Sequence, residues 1–97
     1  ADAVWWTMLT GVVPIADQAT SMKATAQLMF SGPGRFEIDL IITGNNPVAI
    51  QARGFQPLKN GKSYDNVYAW VITFRGGLIS RVNAYFNPEI ARSAFRH

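Results

Sequence analysis

The stretch YDNVYAWVITFRGGLISRVNAYFN (residues 64–87) carries the strongest structural pattern in the chain. Residues 65–75 and 78–87 are rich in β-branched and aromatic side chains, which favour strands. They flank Gly76-Gly77, and two consecutive glycines between such segments are typical of a two-residue β-turn, because glycine readily takes a positive φ. The stretch is therefore predicted to form an antiparallel hairpin.

A two-residue turn also predicts which side chains share a face of this hairpin. Trp70 is placed opposite Asn83, and Tyr68 opposite Tyr85, because side chains alternate along each strand. The resulting amphipathic face carries Asn66, Tyr68, Trp70, Ile72, Arg81, Asn83, Tyr85 and Asn87. Apolar walls with a few convergent polar groups suit a small-molecule pocket, although the same rings could be core residues beneath helices.

The opposite face of the predicted hairpin is small and apolar. It carries Val67, Ala69, Val71, Val82 and Ala84. Such a smooth face suits close packing against another sheet or a second copy of the chain. We therefore expect a homodimer assembled through this face.

The rest of the chain adds two helices and two strands. Residues 2–9 place Val4, Trp5, Met8 and Leu9 at helical spacing, and residues 17–29 are rich in helix formers. Alternating patterns predict strands over 35–43 and 48–54, and Pro88 suits the first position of a closing helical turn. The order predicts one α+β domain spanning residues 1–97, with a curved antiparallel sheet wrapped around N-terminal helices.

Composition excludes several classes of function. The 97 residues include no cysteine and a single histidine, His97, so disulfides, thiolate metal sites and Ser-His-Asp triads have nothing to build on. The nine basic residues are scattered, which predicts no nucleic-acid partner despite the net charge of +3. No apolar run is long enough for a membrane helix, and no signal segment opens the chain. We expect a cytoplasmic protein without metal or cofactor.

The C-terminal half resembles the SnoaL-like and ketosteroid-isomerase-like branch of the nuclear transport factor 2-like superfamily. The similarity rests on residues 60–87, NGKSYDNVYAWVITFRGGLISRVNAYFN, and extends through VAIQARG and more weakly through WWTMLTGVVPI. The resemblance implies a cone-shaped fold, in which a bent sheet encloses a deep hydrophobic pocket, and dimerisation through the outer sheet surface. Members include isomerases, polyketide cyclases, epoxide hydrolases and dehydratases, and also proteins whose pocket has no known reaction, so the fold alone does not decide the function.

Three departures from the family pattern bear on catalysis. Asn87 stands where the pattern places an aspartate facing the cavity, and Gln51 stands where an acid often lies in the preceding strand. An amide cannot take a proton at neutral pH. The family also normally has a longer helix ahead of the DAVWW region; either this helix has been lost, or the pocket is capped by something else, such as a neighbouring subunit.

Three interpretations of function follow. We favour a pocket for a small, largely apolar molecule that carries a carbonyl or hydroxyl group. An isomerase, cyclase or epoxide hydrolase would need Asp39 as the carboxylate base, with Tyr68 or Tyr85 as hydrogen-bond donor, although an Arg-paired structural role for Asp39 is the alternative. A dimeric interaction module would have a filled interior. A carboxylate inside the cavity favours catalysis, whereas a cavity without one favours binding.

Overall fold

The computed structural model describes residues 2–95, so His97 lies outside the described residues. Six strands and two helices follow one another along the chain. In chain order they are β1 (Val4–Thr7), β2 (Gly11–Pro14), α1 (Ile15–Met29), β3 (Arg35–Ile42), β4 (Val48–Pro57), β5 (Ser63–Arg75), β6 (Leu78–Phe86) and α2 (Pro88–Phe95). No helix within residues 2–95 is long and apolar enough to cross a membrane.

All six strands form one curved, open sheet in the order β2-β1-β6-β5-β4-β3. Neighbouring strands are antiparallel except for β1 and β6, which run parallel. Helix α1 packs against β1 and β2 at one side of the sheet, and α2 packs against β5. The predicted α+β class with a curved sheet is confirmed.

The N-terminal segment is a strand, and the helix predicted over residues 2–9 is wrong. The backbone of β1 pairs with β2 on one side and with β6 on the other, and these ladders outweigh a short stretch of helical spacing. The reversal after β1 is held by Thr7, whose Oγ1 accepts hydrogen bonds from the backbone N–H groups of Leu9 (3.2 Å) and Thr10 (3.1 Å). Gly11 completes the turn at a φ of 68°.

Helix α1 is the helix predicted for residues 17–29, beginning two residues earlier. Its first N–H group, on Ile15, donates to the carbonyl of Ala3 (3.0 Å). At its other end, Lys59 donates from its backbone N–H to the Met29 carbonyl and from Nζ to the Gln27 carbonyl, at 2.8 and 2.6 Å. The lysine charge suits the negative end of the helix dipole. Both ends of α1 are therefore tethered to the sheet region.

The β5–β6 hairpin turns at Gly76-Gly77, as predicted, with φ values of 59° and 78°. The predicted register holds next to this turn, where Arg75 pairs with Leu78. Beyond it, Thr73 pairs with Arg81, so Ser80 is an extra residue on β6. The Ser80 hydroxyl donates to the Thr73 carbonyl (3.1 Å) and thereby holds this bulge.

The bulge corrects the predicted faces, because a one-residue shift turns every later side chain of β6 to the other side. Trp70 lies opposite Ala84 and Tyr68 opposite Phe86. We call the side of the sheet that carries Tyr68 and Trp70 the inner face, and the other side the outer face. The inner face of β6 carries Val82, Ala84 and Phe86, and its outer face carries Arg81, Asn83 and Tyr85.

The packed core lies where α2 closes one end of the sheet. Leu58, Tyr64 and Ala91 are buried there, with Phe30, Phe86, Ala94 and Phe95 packed around them. The rings of Tyr64 and Phe95 lie 4.7 Å apart. We call this group of seven residues the α2 core.

Candidate functional site

A cavity of about 700 Å³ lies between α1 and the inner face of the sheet. Its volume is in the range of small-molecule sites. Helix α1 supplies one wall with a row of side chains at helical spacing, and the sheet supplies the opposite wall. The cavity opens to solvent beside the edge strand β3, where Phe36 is 58% exposed.

The sheet wall of the cavity is built from aromatic rings. Tyr68 and Trp70 are stacked, with centroids 5.4 Å apart, and Phe36 packs edge-on against both at 5.6 and 5.3 Å. Phe86 extends the wall on β6, 6.3 Å from Tyr68. We call these four residues the aromatic wall. Such a wall offers aromatic contacts to a ring-shaped ligand.

Gly54 makes the aromatic wall possible. It lies on β4 directly between Phe36 on β3 and Asn66 on β5. A Cβ at this position would stand 2.7 Å from Cε2 of Tyr68 and 2.8 Å from Cε1 of Phe36. The missing side chain therefore leaves room for the edges of both rings at this position.

Among the described residues, no aspartate or glutamate lines the cavity. The charged residue in its lining is Arg35, whose guanidinium bonds Glu37 and lies 4.2 Å from the centre of the Phe55 ring. The cavity is thus mainly apolar, with hydroxyl and amide groups as its polar components. Residues 2–95 also contain no cluster of three side chains that could hold a metal ion.

Asp39, the candidate base, is held on the outer face. Its carboxylate accepts hydrogen bonds from Nε and Nη2 of Arg53, with distances between 2.9 and 3.2 Å, and Glu37 is 3.3 Å from the same Nη2. The Asp39 side chain is 36% exposed. This is the Arg-paired arrangement that the sequence left open as the alternative, and it puts the carboxylate outside the cavity lining.

The two candidate tyrosines lie on opposite faces of the sheet. Tyr68 belongs to the aromatic wall, whereas Tyr85 lies on the outer face with its ring 5.2 Å from that of Trp6. Burial raises the pKa of the Tyr68 hydroxyl well above its ordinary value, and the neighbouring Tyr64 hydroxyl raises that pKa further. Tyr68 is therefore a neutral hydroxyl at every physiological pH.

The three asparagines predicted to line the pocket lie outside the cavity lining, where each bonds to other protein groups. Asn66 is buried (4% exposed): its Nδ2 donates to the Tyr64 hydroxyl and the Asn87 carbonyl, and its Oδ1 accepts from the N–H groups of Val67 and Asn87. Asn87 caps α2, because its Oδ1 accepts from the N–H groups of Glu89 (3.0 Å) and Ile90 (3.2 Å). Asn83 accepts from Nε of Arg81 on the outer face. None of the three lines the cavity.

Of the eight predicted pocket residues, the structure places Tyr68 and Trp70 in the cavity lining. Ile72 shares their face but pairs with Val82 farther along the sheet. Arg81, Asn83 and Tyr85 lie on the outer face because of the bulge at Ser80, so their predicted placement beside Trp70 is wrong. Gln51, opposite Ala69, is also on the outer face.

The predicted dimer face is divided by the same bulge. Val67, Ala69 and Val71 lie on the outer face, and Val67 is 56% exposed. Val82 and Ala84 instead lie on the inner face, where they are 6% and 3% exposed. The placement of these last two residues on an assembly surface is therefore wrong.

Sequence reasoning missed the α1 side of the cavity and part of the aromatic wall. Helix α1 contributes Gln18, Ser21, Met22, Thr25, Leu28 and Met29 to the lining. Their spacing of three and four residues was a readable signal of one helix face. Phe36 and Gly54 were harder to find, because their position depends on the register of three neighbouring strands.

A second, more open cleft of about 590 Å³ lies between α2 and the start of β5. Its lining includes Lys62, Asp65 and Glu89. The Asp65 carboxylate accepts from the Ser63 hydroxyl (2.5 Å), and Glu89 pairs with Arg92 (2.5 Å). Because its carboxylates are engaged locally, this cleft is a weaker candidate site than the cavity.

No protein-family model matches the chain, and no curated protein matches it either. Solved structures do match. An NTF2-like protein of unknown function from Burkholderia pseudomallei has a TM-score of 0.80 at 14% identity, with 99% of this chain and 78% of that one covered. A proposed SnoaL-like polyketide cyclase from Jannaschia has a TM-score of 0.74 at 15% identity, with coverages of 96% and 69%.

A third match is a protein with a ketosteroid-isomerase-like fold from Catenulispora acidiphila, in complex with trimethylamine. Its TM-score is 0.74 at 18% identity, with 97% of this chain and 73% of that one covered. The chain therefore has the nuclear transport factor 2-like fold that SnoaL-like and ketosteroid-isomerase-like proteins share. These matches confirm the fold that the resemblance implied, and at such low identity they establish the fold alone.

Proposed function

We propose that the protein binds a small, largely apolar, uncharged molecule in the cavity between α1 and the aromatic wall. The observation that carries this function is the combination of a cavity of about 700 Å³, a wall of four aromatic residues, and a lining without carboxylates among the described residues. Apolar walls bury a ligand, while a few polar groups fix its orientation. A cavity of this kind has no counterion for a cationic ligand.

Burial energetics limit the affinity expected for simple probes. A one- or two-ring aromatic molecule loses about 150–250 Å² of surface when it is fully buried. At about 25 cal/mol per Å², this contributes about 4–6 kcal/mol before the costs of association are subtracted. We therefore expect dissociation constants from tens of micromolar upward for simple probes.

Tyr68 supports a neutral ligand in particular. Because burial raises the pKa of its hydroxyl, this residue presents an uncharged O–H group throughout the physiological range. It can therefore donate a hydrogen bond to a carbonyl or hydroxyl oxygen without creating a buried charge. One structural relative was solved in complex with a small molecule, trimethylamine.

A matched pair of tryptophan variants tests this function. Trp70 belongs to the aromatic wall, whereas Trp6 lies on the outer face against Tyr85. Naphthol, which is uncharged at neutral pH, would be titrated by isothermal calorimetry into the wild type, Trp70→Leu and Trp6→Leu. We expect Trp70→Leu to weaken binding at least tenfold and Trp6→Leu to leave it unchanged. Equal effects of the two variants, or no binding to the wild type, would exclude the function.

The enzymatic alternative has less support from the site. An isomerase, cyclase or epoxide hydrolase of the expected type needs a carboxylate within reach of its substrate. Asp39 is paired with Arg53 on the outer face, and the position of the expected cavity aspartate is occupied by Asn87, which caps α2. The interaction-module alternative required a filled interior, and the cavity argues against it.

We also propose that two copies of the chain associate through the outer face. The observation that favours this is its exposed apolar surface, since Leu40, Ile42 and Val67 are 49–58% exposed there. Large exposed apolar patches mark association surfaces. Analytical ultracentrifugation should give a dimer for the wild type and a monomer for Val67→Glu. Leu78→Glu, at the exposed β5–β6 turn, should stay dimeric, and a monomeric wild type would exclude the proposal.

A further inference from the structure

Several polar side chains that line the cavity are engaged within the protein. They lie on the sheet and its connections and comprise Thr7, Thr10, Gln56 and Tyr64. The Thr7 and Thr10 hydroxyls share a hydrogen bond of 3.0 Å, and the Gln56 amide donates to the carbonyls of Gly32 and Pro57 at 2.8 and 3.0 Å. The Tyr64 hydroxyl accepts from Asn66. These side chains therefore have few hydrogen-bonding positions left for a ligand.

The polar side chains of α1 behave differently. Gln18, Ser21 and Thr25 recur at intervals of three and four residues and line the cavity together. Within residues 2–95, these three side chains make no hydrogen bond to another protein group, although the Thr20 hydroxyl on another side of the helix donates to the Ala16 carbonyl (3.0 Å). We call Gln18, Ser21 and Thr25 the α1 polar row. It spans about 10 Å of helix axis.

The α1 polar row faces the aromatic wall across open space. None of the fifteen residues of α1 is buried, so the sheet does not pack against this side of the helix. Across the same cavity, the indole nitrogen of Trp5 is buried and has no hydrogen-bond partner among the described residues. Buried polar atoms without partners are rare in native proteins. Because that nitrogen is buried, the hydrogen-bonding groups open to a molecule in the cavity are those of the α1 polar row.

We infer that the α1 polar row selects ligands carrying neutral oxygen substituents, with the flat side of the ring system held against the aromatic wall. Two hydroxyls and one amide can donate to, and accept from, hydroxyl and carbonyl oxygens. No charged side chain belongs to the row, and Arg35 in the cavity lining is paired with Glu37, so a neutral oxygen is favoured over a carboxylate or an ammonium group. The ligand class is therefore an uncharged ring compound bearing hydroxyl or carbonyl groups. This inference rests on the proposed function and adds the determinant of specificity.

The test compares naphthol with naphthalene, which lacks the oxygen. Wild-type protein should bind naphthol more tightly, and the double variant Ser21→Ala/Thr25→Val should reduce naphthol affinity by about two- to tenfold for each hydrogen bond lost. Naphthalene affinity should not change. Thr20→Val on the same helix is the matched control and should alter neither affinity. Gln18→Met, which is close in size, provides an independent test of the row, and circular dichroism reports whether each variant keeps its helix.

The outcomes distinguish a failure of the inference about the α1 polar row from a failure of the proposed binding function. If both compounds bind the wild type equally, or the row variants leave naphthol affinity intact, the α1 polar row does not select the ligand, while the binding function stands. A parallel loss for naphthol and naphthalene assigns the effect to packing and also overturns the inference. If neither compound binds the wild-type cavity, the proposed function itself fails.

Discussion

The α2 core and the α1 wall of the cavity contain similar residues but differ in how far their side chains are buried and hydrogen-bonded within the protein. In the α2 core, Leu58 is 5% exposed and Tyr64 is buried against Phe95, and Asn66 beneath them has all its hydrogen-bonding groups engaged. On α1, Leu28 is 67% exposed, and the α1 polar row has no protein partner within residues 2–95. The difference indicates that stability resides at the α2 end, while the α1 side is left for a ligand.

A pair of leucine variants tests this comparison most strongly. Leu58→Ala should lower the free energy of unfolding by about 2–4 kcal/mol, because it removes a buried side chain and leaves a void. Leu28→Ala should cost less than about 0.5 kcal/mol, because its side chain is largely exposed. Urea denaturation measures both values. Similar losses for the two leucines would mean that α1 is packed as firmly as the α2 core.

Asn66 tests the hydrogen-bonded part of the same core. Asn66→Ala should destabilise the protein by about 2–3 kcal/mol, because several buried backbone and hydroxyl groups lose their partner. Asn83→Ala, on the outer face of β6, serves as the control and should cost less than about 1 kcal/mol. Thermal and urea unfolding should rank the two variants in this order, and the reverse order would contradict the assignment of Asn66 as structural.

Gly54 is expected to affect both stability and ligand binding. Gly54→Ala should cost about 1–3 kcal/mol and weaken naphthol binding, because the new Cβ displaces the rings of Tyr68 and Phe36. Gly44→Ala is the control, since a Cβ there meets no atom within 4 Å. Denaturation and calorimetry together check both effects. An aromatic wall that tolerates the added methyl group would show that its packing is looser than described.

Asp39 distinguishes binding from catalysis. Asp39→Asn should change the free energy of unfolding by less than about 1 kcal/mol, because the ion pair with Arg53 is half exposed. It should leave naphthol affinity unchanged, because the carboxylate is outside the cavity lining. A large loss of ligand affinity, measured by calorimetry, would indicate that the Asp39 carboxylate has a functional role.

The smallest expected effect concerns pH. The raised pKa of Tyr68 means that the folded state keeps this proton when the unfolded chain, with a tyrosine pKa of about 10, releases it. The contribution of Tyr68 to stability is therefore present below about pH 10 and is lost as the pH rises above it. Urea titrations at several alkaline pH values should show a shallower decline for Tyr68→Phe than for the wild type. Parallel curves would indicate an accessible hydroxyl.

Local sequence signals were sufficient for much of the fold. The Gly76-Gly77 turn, the alternation in β3 and β4, and the helix formers of α1 each predicted the element that the structure contains. The N-terminal strand was not predictable in the same way, because four apolar residues at helical spacing also fit a short strand. Its identity depends on pairing with β6, which is distant in the sequence.

The candidate site depended on details that no local pattern shows. One extra residue, Ser80, moved Asn83 and Tyr85 from the cavity side to the outer face. Tyr68 and Trp70 were placed correctly relative to each other, because both lie on β5 two residues apart and the extra residue is on β6. The α1 polar row was readable as a helix face, but its lack of partners becomes visible only when the opposite wall is known.

Hydrogen exchange of the backbone amides measures the central claim most directly, with naphthol present and absent. If a small molecule fills the cavity, the amides of α1 (Ile15–Met29) should exchange rapidly in the free protein and become protected on binding, because the ligand supplies the packing that the sheet does not. Amides of β5 beside the α2 core should be protected in both states. Exchange of α1 that is already slow without ligand, or that naphthol leaves unchanged, would contradict the account.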